Sequence, residues 1–411
     1  MNRKIIRREF LGRAAAGSAL VSFGANAPNV FCRAAETSAN EGRVLVVVEL
    51  AGGNDGLNCI VPHSNHAYLK SRQKLRIAAP DTLAVTTEIG LHRSMRGFAD
   101  LLESGHFAVV QGVGYPNPNR SHFESMDIWH SCFRKHQPRS DGWIGRYLQS
   151  AGLAGTPDPP AIHLGREKQP FALASRDIHA VSIGSIDQFR LAKNQRAELK
   201  SAIRELARRP ESHDAGNDLL GFVRASTETA ITASDKIELA ATSKAGSSAV
   251  YPRSELGRQL ETVAKLISSK MQTRIYYVRL NGFDTHANQP LAHAALLRDV
   301  SDSVNALMQD LHGRGDGDRT LVMCFSEFGR RVAENASSGT DHGTAGPVLF
   351  AGRKLNAGLI GPMPSLTDLD NGDLKFHTDF RSVYATVLKE WLACSPDDVL
   401  GGKFASVDLF A

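Results

Sequence analysis

Short apolar runs recur along the chain, and most are followed at once by a polar, glycine-rich loop. They are RVLVVVEL (43–50), FAVVQGV (107–113), RIYYVRL (274–280) and TLVMCF (320–325), whereas a fifth run, PVLFA (347–351), follows its polar loop. Runs this short and this continuously apolar are typical of strands buried on both faces of a parallel sheet. Periodic apolar positions over 290–311, and over 379–392 with Asp379 as N-cap, predict helices between and after the strands. The pattern therefore predicts a doubly wound, mainly parallel α/β sheet with helices on both faces.

The middle of the chain has a different composition. Residues 186–271 are rich in Ala, Arg, Glu, Lys and Ser, and 254–270 carries apolar residues at helical spacing. This stretch predicts a helical insertion at about 186–271, packed on the sheet domain or over its active edge.

The N-terminus has the features of an export signal. The pair Arg7-Arg8, followed by the letters EFL, is the twin-arginine pattern, and an ordinary secretory signal is the alternative. The apolar run at 14–23 is about half the ~20 residues that a transmembrane helix needs. The sequence predicts a cleaved signal at 1–35, a mature domain at 36–411, contact with the twin-arginine translocase, and a periplasmic or secreted location.

Charge and cysteine content narrow the classes of function. Residues 1–35 contain six Lys or Arg and one Asp or Glu, so the rest of the chain balances at 42 basic and 42 acidic residues. That balance favours neither a nucleic-acid partner nor an anionic membrane surface. The four remaining cysteines are scattered and show no metal-knuckle spacing, so a disulfide framework does not carry this fold. One or two disulfide bridges are compatible with the sequence.

The polar loops carry the candidate chemistry. Ligands of open α/β sheets bind beyond the carboxyl ends of the strands, and the order of the sequence places four of these loops at that edge. The candidates, in chain order, are Asn54, Asp55, Arg120, Ser121, His122, Asp284, His286, Glu327, Arg330, Arg331, Asp341 and His342.

Each candidate also has a structural interpretation. Asp55 could close an Asx-turn, Ser121 or Asp284 could cap a helix, and Glu327 could form a surface ion pair. As a set, carboxylates and imidazoles from separate loops suit a Zn, Mn or Fe type of site. An adjacent serine would supply an alkoxide and arginines an anion clamp.

Five ordered motifs, GGNDGLN, PNRSHF, GFDTH, SEFGR and GTDHG, lie behind the twin-arginine leader. Together they resemble an exported bacterial family, the domain of unknown function 1501, over essentially the whole mature chain. That family is grouped with the alkaline-phosphatase-like superfamily, which includes phosphatases, sulfatases and phosphoglycerate mutases. The resemblance implies their shared core, a doubly wound sheet that carries two metal ions and a Ser, Thr or Cys nucleophile.

The resemblance also implies roles for individual residues. The segment GTDHGTAGPVLFAG resembles the superfamily segment whose histidine, here His342, binds the first metal. Asp284 and His286 resemble that metal's Asp and His pair, at a spacing shorter by two. Asp55, or alternatively Asn54, corresponds to the first-strand aspartate of the second metal. The nucleophile position falls near Ser121.

Departures from the superfamily pattern lie mainly in the second metal site. Glu327 stands where phosphatases have the Asp of an Asp-His pair, but Phe328 replaces that histidine, a loss for which His122 could compensate. The chain also lacks the Cys-x-Pro-x-Arg segment of formylglycine sulfatases.

The resemblance therefore implies an exported, metal-dependent hydrolase of phosphate or sulfate esters. Its predicted parts are a Ser121 nucleophile, Arg120 or Arg330 as anion clamp, one or two Zn or Mn ions per chain, and a small anionic ester as substrate. The alternative is a metal-stabilised binding or assembly protein that keeps the fold without the reaction.

Overall fold

The apolar runs form the strands of one central sheet. The computed structural model describes residues 42–153, 156, 158–178, 180–184, 236, 239 and 249–411. The strands of that part are β1 (Val44–Ala51), β2 (Ile60–Val61), β3 (Thr82–Ala84), β4 (Gly90–His92), β5 (Phe107–Gly114), β6 (Ala161–Leu164), β7 (Val181–Ile183), β8 (Ile275–Asn281), β9 (Thr320–Phe325), β10 (Arg330–Glu334), β11 (Thr340–His342), β12 (Gly346–Gly352), β13 (Gly358–Ile360), β14 (Leu369–Asp370), β15 (Asp373–Leu374) and β16 (Thr378–Asp379).

Helices lie between the strands and after them. Those of the described residues are α1 (Gly56–Cys59), α2 (His66–Ser71), α3 (Arg96–Glu103), α4 (His122–Ser131), α5 (Trp143–Ser150), α6 (Glu255–Ser268), α7 (Gln289–Gly313), α8 (Phe380–Thr386) and α9 (Pro396–Leu400). A π-helical turn, Val387–Trp391, continues α8.

Within the described residues the central sheet has nine strands. Eight follow the order β13-β5-β12-β9-β1-β8-β6-β7, and β16 pairs with the end of β5. Only β12 runs against its neighbours, β5 and β9, and the other pairings in this sheet are parallel. The prediction of a mainly parallel sheet is confirmed. Because β12 is reversed, its first residue lies at the edge where the other strands end. The polar loop that precedes β12 in the chain therefore lies at that edge too.

Side chains on both faces of the sheet are buried under helices. On β1, Val46 and Val48 face a core shared with α3, α6 and α7, while Leu45 and Val47 face one shared with α4, α5 and α8. Successive side chains of a strand point to opposite faces of the sheet. A continuously apolar strand therefore has to be buried by packed helices on both faces. The predicted arrangement of helices on both faces is confirmed.

Three predicted helices lie within the described residues. In α6, Ser254 is the N-cap and accepts a 3.0 Å hydrogen bond from the Gly257 amide. Helix α7 covers the stretch predicted at 290–311, and Asp379 caps α8 through the amide of Arg381. Most of the predicted insertion at 186–271 and the whole predicted signal at 1–35 lie outside the described residues.

Residues Arg43–Ala411 form one compact unit. In the part of the chain that the structure describes, no helix is both long enough and apolar enough to cross a membrane. The thiols of Cys59, Cys132, Cys324 and Cys394 are free.

Candidate metal centre

Side chains from three separate segments converge at the carboxyl edge of the sheet. Asp284 follows β8, His342 ends β11 ahead of the reversed strand β12, and His122 begins α4 after β5. The Oδ1 atom of Asp284 lies 3.1 Å from Nε2 of His342 and 3.5 Å from Nε2 of His122. Nε2 of His286 is 3.0 Å from the same oxygen. These four side chains are called the His/Asp cluster below.

The nitrogen atoms of the His/Asp cluster are arranged as metal ligands would be. Nε2 of His286 and Nε2 of His342 face each other at 2.9 Å, and Nε2 of His122 is buried without a hydrogen-bond partner. Ligand atoms of His122, Asp284 and His342 all lie within 4.8 Å of one another. Neutral imidazole nitrogens and a carboxylate oxygen are the donors of Zn-type sites, so the residues present fit such an ion.

The second ring nitrogen of each histidine has a partner of its own. Nδ1 of His122 lies 2.7 Å from Oε1 of Glu327, and Nδ1 of His286 lies 3.3 Å from Oδ1 of Asp341. Nδ1 of His342 donates to the Arg120 carbonyl at 2.8 Å. Such outer partners fix the tautomer and the orientation of a metal-binding imidazole. The bond to Glu327 also raises the pKa of His122 above its ordinary value.

Asp284 is ionised at neutral pH. Burial alone would raise the pKa of Asp284, but its interactions with Arg330 and His342 outweigh that effect and lower the pKa to about 2. A carboxylate that stays charged is the form that binds a cation.

Arg330 ties the loops of the site together. Its guanidinium group is buried and donates to the carbonyls of Gly52, Gly53 and Thr340 as well as to the Asp284 carboxylate. With its donors directed at these groups, Arg330 is not placed to bind an anionic substrate. This arrangement differs from the predicted anion clamp.

Asp55 does not join the His/Asp cluster. Its carboxylate is buried and pairs with both terminal nitrogens of Arg72, at 2.5 and 2.8 Å, and accepts a further bond from Gln289. Burial raises the pKa of Asp55, but the Arg72 charge outweighs that effect and lowers it. Its neighbour Asn54 bonds His293 instead of the cluster. Both side chains are therefore placed for a structural role, unlike the predicted second-metal ligand.

Glu327 reaches the His/Asp cluster through His122. Its buried carboxylate accepts from the Gly52 amide at 2.9 Å and from the Ser326 hydroxyl at 3.0 Å. The ring of Phe328 lies 4.9 Å from the rings of His122 and His342. Phe328 thus fills the space beside the cluster, and the described residues form one group of metal-ligand type there rather than two.

Arg120 and Ser121 directly precede His122 in the chain. Ser121 is exposed and occupies the N-cap position of α4, but its hydroxyl makes no capping hydrogen bond. The structural interpretation of Ser121 as a helix cap is therefore not what is observed. The Arg120 side chain is half exposed and lies 3.5 Å from Asp373.

The cluster borders an open cavity of about 500 Å³. Its lining includes His122, Asp284 and Glu327, and also Glu49 and Arg279. Sequence reasoning missed the latter pair, although two signals were present. Glu49 interrupts an otherwise apolar strand, and the end of β8 alternates polar and apolar residues from Tyr277 on.

Fold and cluster together define an α/β protein with a candidate metal centre at the carboxyl edge of its central sheet. The chain belongs to the family described as "Protein of unknown function (DUF1501)", which matches residues 43–391, and this confirms the resemblance seen in the motifs. No curated protein matches the chain.

Several solved structures are similar at low identity. One is the lipoteichoic acid synthase LtaP from Listeria monocytogenes, at 9% identity over 89% of this chain and 76% of that one, with a TM-score of 0.39. A protein in the alkaline phosphatase superfamily from Vibrio parahaemolyticus has 8% identity over 88% and 69% of the two chains, with a TM-score of 0.40. The PsFucS1 sulfatase from Pseudoalteromonas sp. has 10% identity over 92% and 72%, with a TM-score of 0.40.

Proposed function

We propose that the protein is a metal-dependent hydrolase of phosphate or sulfate esters. The observation that carries this proposal is the convergence of three imidazole Nε2 atoms on one oxygen of Asp284, one of them buried and unpartnered. His122, His286, His342 and Asp284 would hold one divalent ion of the Zn or Mn type. When bound, such an ion supplies positive charge that polarises an ester oxygen and favours an ionised nucleophile.

The residues around the cluster have separate tasks in this proposal. Glu327 and the Arg120 carbonyl hold the rings of His122 and His342 in their orientations. The guanidinium of Arg120, which is half exposed, takes the place of Arg330 as the group that binds the free oxygens of the ester.

Ser121 is the proposed nucleophile because its hydroxyl is exposed, makes no capping bond and adjoins His122 in the chain. Its Oγ atom forms a bond to phosphorus or sulfur as the bond to the leaving oxygen breaks. The serine proton passes to water, and the leaving alkoxide takes a proton to become an alcohol. Water then cleaves the covalent intermediate, which restores Ser121 and releases the inorganic anion.

Untagged protein assayed for metal content and for turnover of chromogenic phosphate and sulfate esters tests the proposal. Ser121→Ala should abolish turnover and keep the metal, whereas Asp284→Asn should lose the metal. Ser395→Ala is the matched control, since Ser395 is also an exposed N-cap serine without a capping bond. Turnover by Ser121→Ala would refute the nucleophile, and purified protein without metal would refute the hydrolase.

A second candidate function is a metal-stabilised binding or assembly protein without catalysis. Phe328 supports it, because an apolar ring packs against His122 and His342 where a second metal ligand was expected. This candidate predicts one bound metal per chain and no turnover of any ester in the same screen.

A further inference from the structure

The cavity beside the His/Asp cluster has a polar floor built from two neighbouring strands. Glu49 of β1 and Arg279 of β8 are register partners, and Nε of Arg279 lies 2.6 Å from Oε1 of Glu49. The terminal nitrogens of Arg279 make no hydrogen bond to the described residues, and the side chain lines the cavity. Asn281, two residues further along β8, lines the cavity as well. Donors of two kinds thus face the space next to the cluster.

Buried side chains behind Glu49 hold its carboxylate in place. Glu49 accepts a 2.5 Å hydrogen bond from the Tyr277 hydroxyl and lies 3.1 Å from Nε2 of His130. Burial would raise the pKa of Glu49, but His130, Arg279 and Tyr277 outweigh it and lower that pKa to about 2. Glu49 therefore remains charged and holds the guanidinium of Arg279 in place. A paired acid and arginine present hydrogen-bond donors without a large net charge.

Other residues that line the cavity are apolar. Phe123 directly follows His122 in α4, is 87% exposed and lines the cavity. Met126 lies one helical turn further on, and Phe171 lines the cavity from another segment. Together these three side chains give the cavity an apolar surface that includes an accessible aromatic ring.

The polar and apolar residues of the cavity together indicate which class of ligand it can bind. A purely apolar ligand would cover Arg279 and Asn281 without giving them hydrogen-bond partners, which disfavours its binding. A polyanion finds no net positive surface, because Lys168 and Asp127, of opposite charge, also line the cavity and Glu49 balances Arg279. A sugar ring offers an apolar C–H face to an aromatic ring and hydroxyl groups to amides and guanidinium groups. The cavity, of about 500 Å³, lies within the range of small-ligand sites, roughly 300–1,000 Å³.

We propose that this cavity is a carbohydrate subsite, with Phe123 as the stacking platform and Arg279 and Asn281 as the hydroxyl partners. The subsite adjoins the His/Asp cluster, so the ester that is cleaved is one carried on a sugar. This last step rests on the proposed hydrolase function.

Binding is tested first, by saturation-transfer NMR on the metal-loaded full chain. The probes are the 6-phosphates and 6-sulfates of glucose and galactose, with ethyl phosphate and ethyl sulfate as esters without a sugar. We expect transfer to the sugar ring protons, and a loss of affinity of about tenfold in Phe123→Ala and in Asn281→Ala. Leu291→Ala is the matched control, since Leu291 is 86% exposed and does not line the cavity. The metal content of each variant shows whether the His/Asp cluster is intact.

Turnover of the same esters separates the subsite from the reaction. The sugar esters should exceed the ethyl esters in kcat/KM, and Phe123→Ala should reduce that ratio while Leu291→Ala does not. The subsite is overturned if no sugar ester shows transfer, or if sugar and ethyl esters are cleaved equally and Phe123→Ala behaves as Leu291→Ala does. Sugar esters that bind without cleavage of any ester would refute the hydrolase and leave the subsite standing.

Discussion

Burial decides which acidic residues near the sheet edge can bind a cation. Asp284 is 49% exposed at its side chain, whereas Asp55 and Glu327 are almost fully buried. Arg72 donates to the Asp55 carboxylate. The Glu327 carboxylate accepts from the Gly52 amide and contacts His122. Of these three predicted ligands, only Asp284 directs a carboxylate oxygen at the histidine Nε2 atoms.

The structural role of Asp55 leads to a stability prediction. Asp55→Asn should lower the free energy of unfolding by about 3–5 kcal/mol, because it leaves the buried Arg72 charge without its partner. Metal content should stay unchanged, since Asp55 lies outside the His/Asp cluster. Urea unfolding followed by circular dichroism, with metal analysis of the same samples, measures both effects.

The exposed pair of Asp81 and Arg93 is the matched control. Their side chains are 57% and 70% exposed, so Asp81→Asn should cost at most about 1 kcal/mol. A loss of metal in Asp55→Asn with little change in stability would instead make Asp55 a ligand.

The motif residues of the His/Asp cluster could be predicted from the sequence, but the partners of Asp55 could not. Asp284 and His286 directly follow an apolar run, and the loops that follow parallel strands meet at one edge of the sheet. His342 precedes its run, and it joins that edge because β12 is reversed. Arg72 belongs to no motif, and its pairing with Asp55 depends on how the end of α2 packs against β10. Contacts of this kind follow from tertiary packing, which a single sequence does not encode locally.

At the scale of elements, the end of β1 and the loop after β8 approach each other closely. Gly52 follows β1 with φ of +122°, and a Cβ atom there would collide with the backbone nitrogen of Asp284. The Phe283 amide donates to the Ala51 carbonyl at 3.1 Å, which joins the two segments. The position of Asp284 therefore depends on the absence of a side chain on the neighbouring strand.

Gly52→Ala should displace Asp284 and weaken metal binding by about 10–100-fold, the usual effect of disturbing a ligand's supporting contacts. Gly105→Ala is the control, because Gly105 also has a positive φ, +76°, but open space around it. That variant should lose about 1–3 kcal/mol of stability through backbone strain alone and keep its metal affinity. Metal titration and thermal unfolding of the two proteins make the comparison. Equal metal affinity in both variants would contradict the role given to the close approach.

Element types were easier to predict than element directions. The apolar runs marked β1, β5, β8, β9 and β12, but a run of apolar residues carries no information about direction. The reversal of β12 is visible only in its pairing with β5 and β9. Glu49 and Arg279 could not be predicted as a pair for a related reason. They lie side by side only in the register in which β1 pairs with β8.

At the scale of the whole molecule, the proposed metal centre bears on export. The twin-arginine route moves folded proteins, so a chain exported through the predicted signal at 1–35 would acquire its metal in the cytoplasm first. Changing Arg7 and Arg8 to Lys should leave folded, metal-loaded protein, with residues 1–35 retained, in the cytoplasm. Cell fractionation, intact-mass measurement and metal analysis test this expectation.

Arg13→Lys is the control for that experiment, because it makes the same change in the leader outside the arginine pair. It should be exported and processed as usual. Export of the Arg7 and Arg8 double variant without metal would break the connection between the leader and the metal centre.

The wide spacing of the His/Asp cluster along the chain has a consequence for folding. Its members come from positions 122, 284, 286 and 342, and they meet only after β5, β8 and the reversed strand β12 have taken their places in one sheet. Contacts between residues so far apart in sequence form late and slowly. No fragment that stops before His342 contains the complete cluster, so uptake of metal during synthesis would report the completion of the tertiary structure and not its beginning.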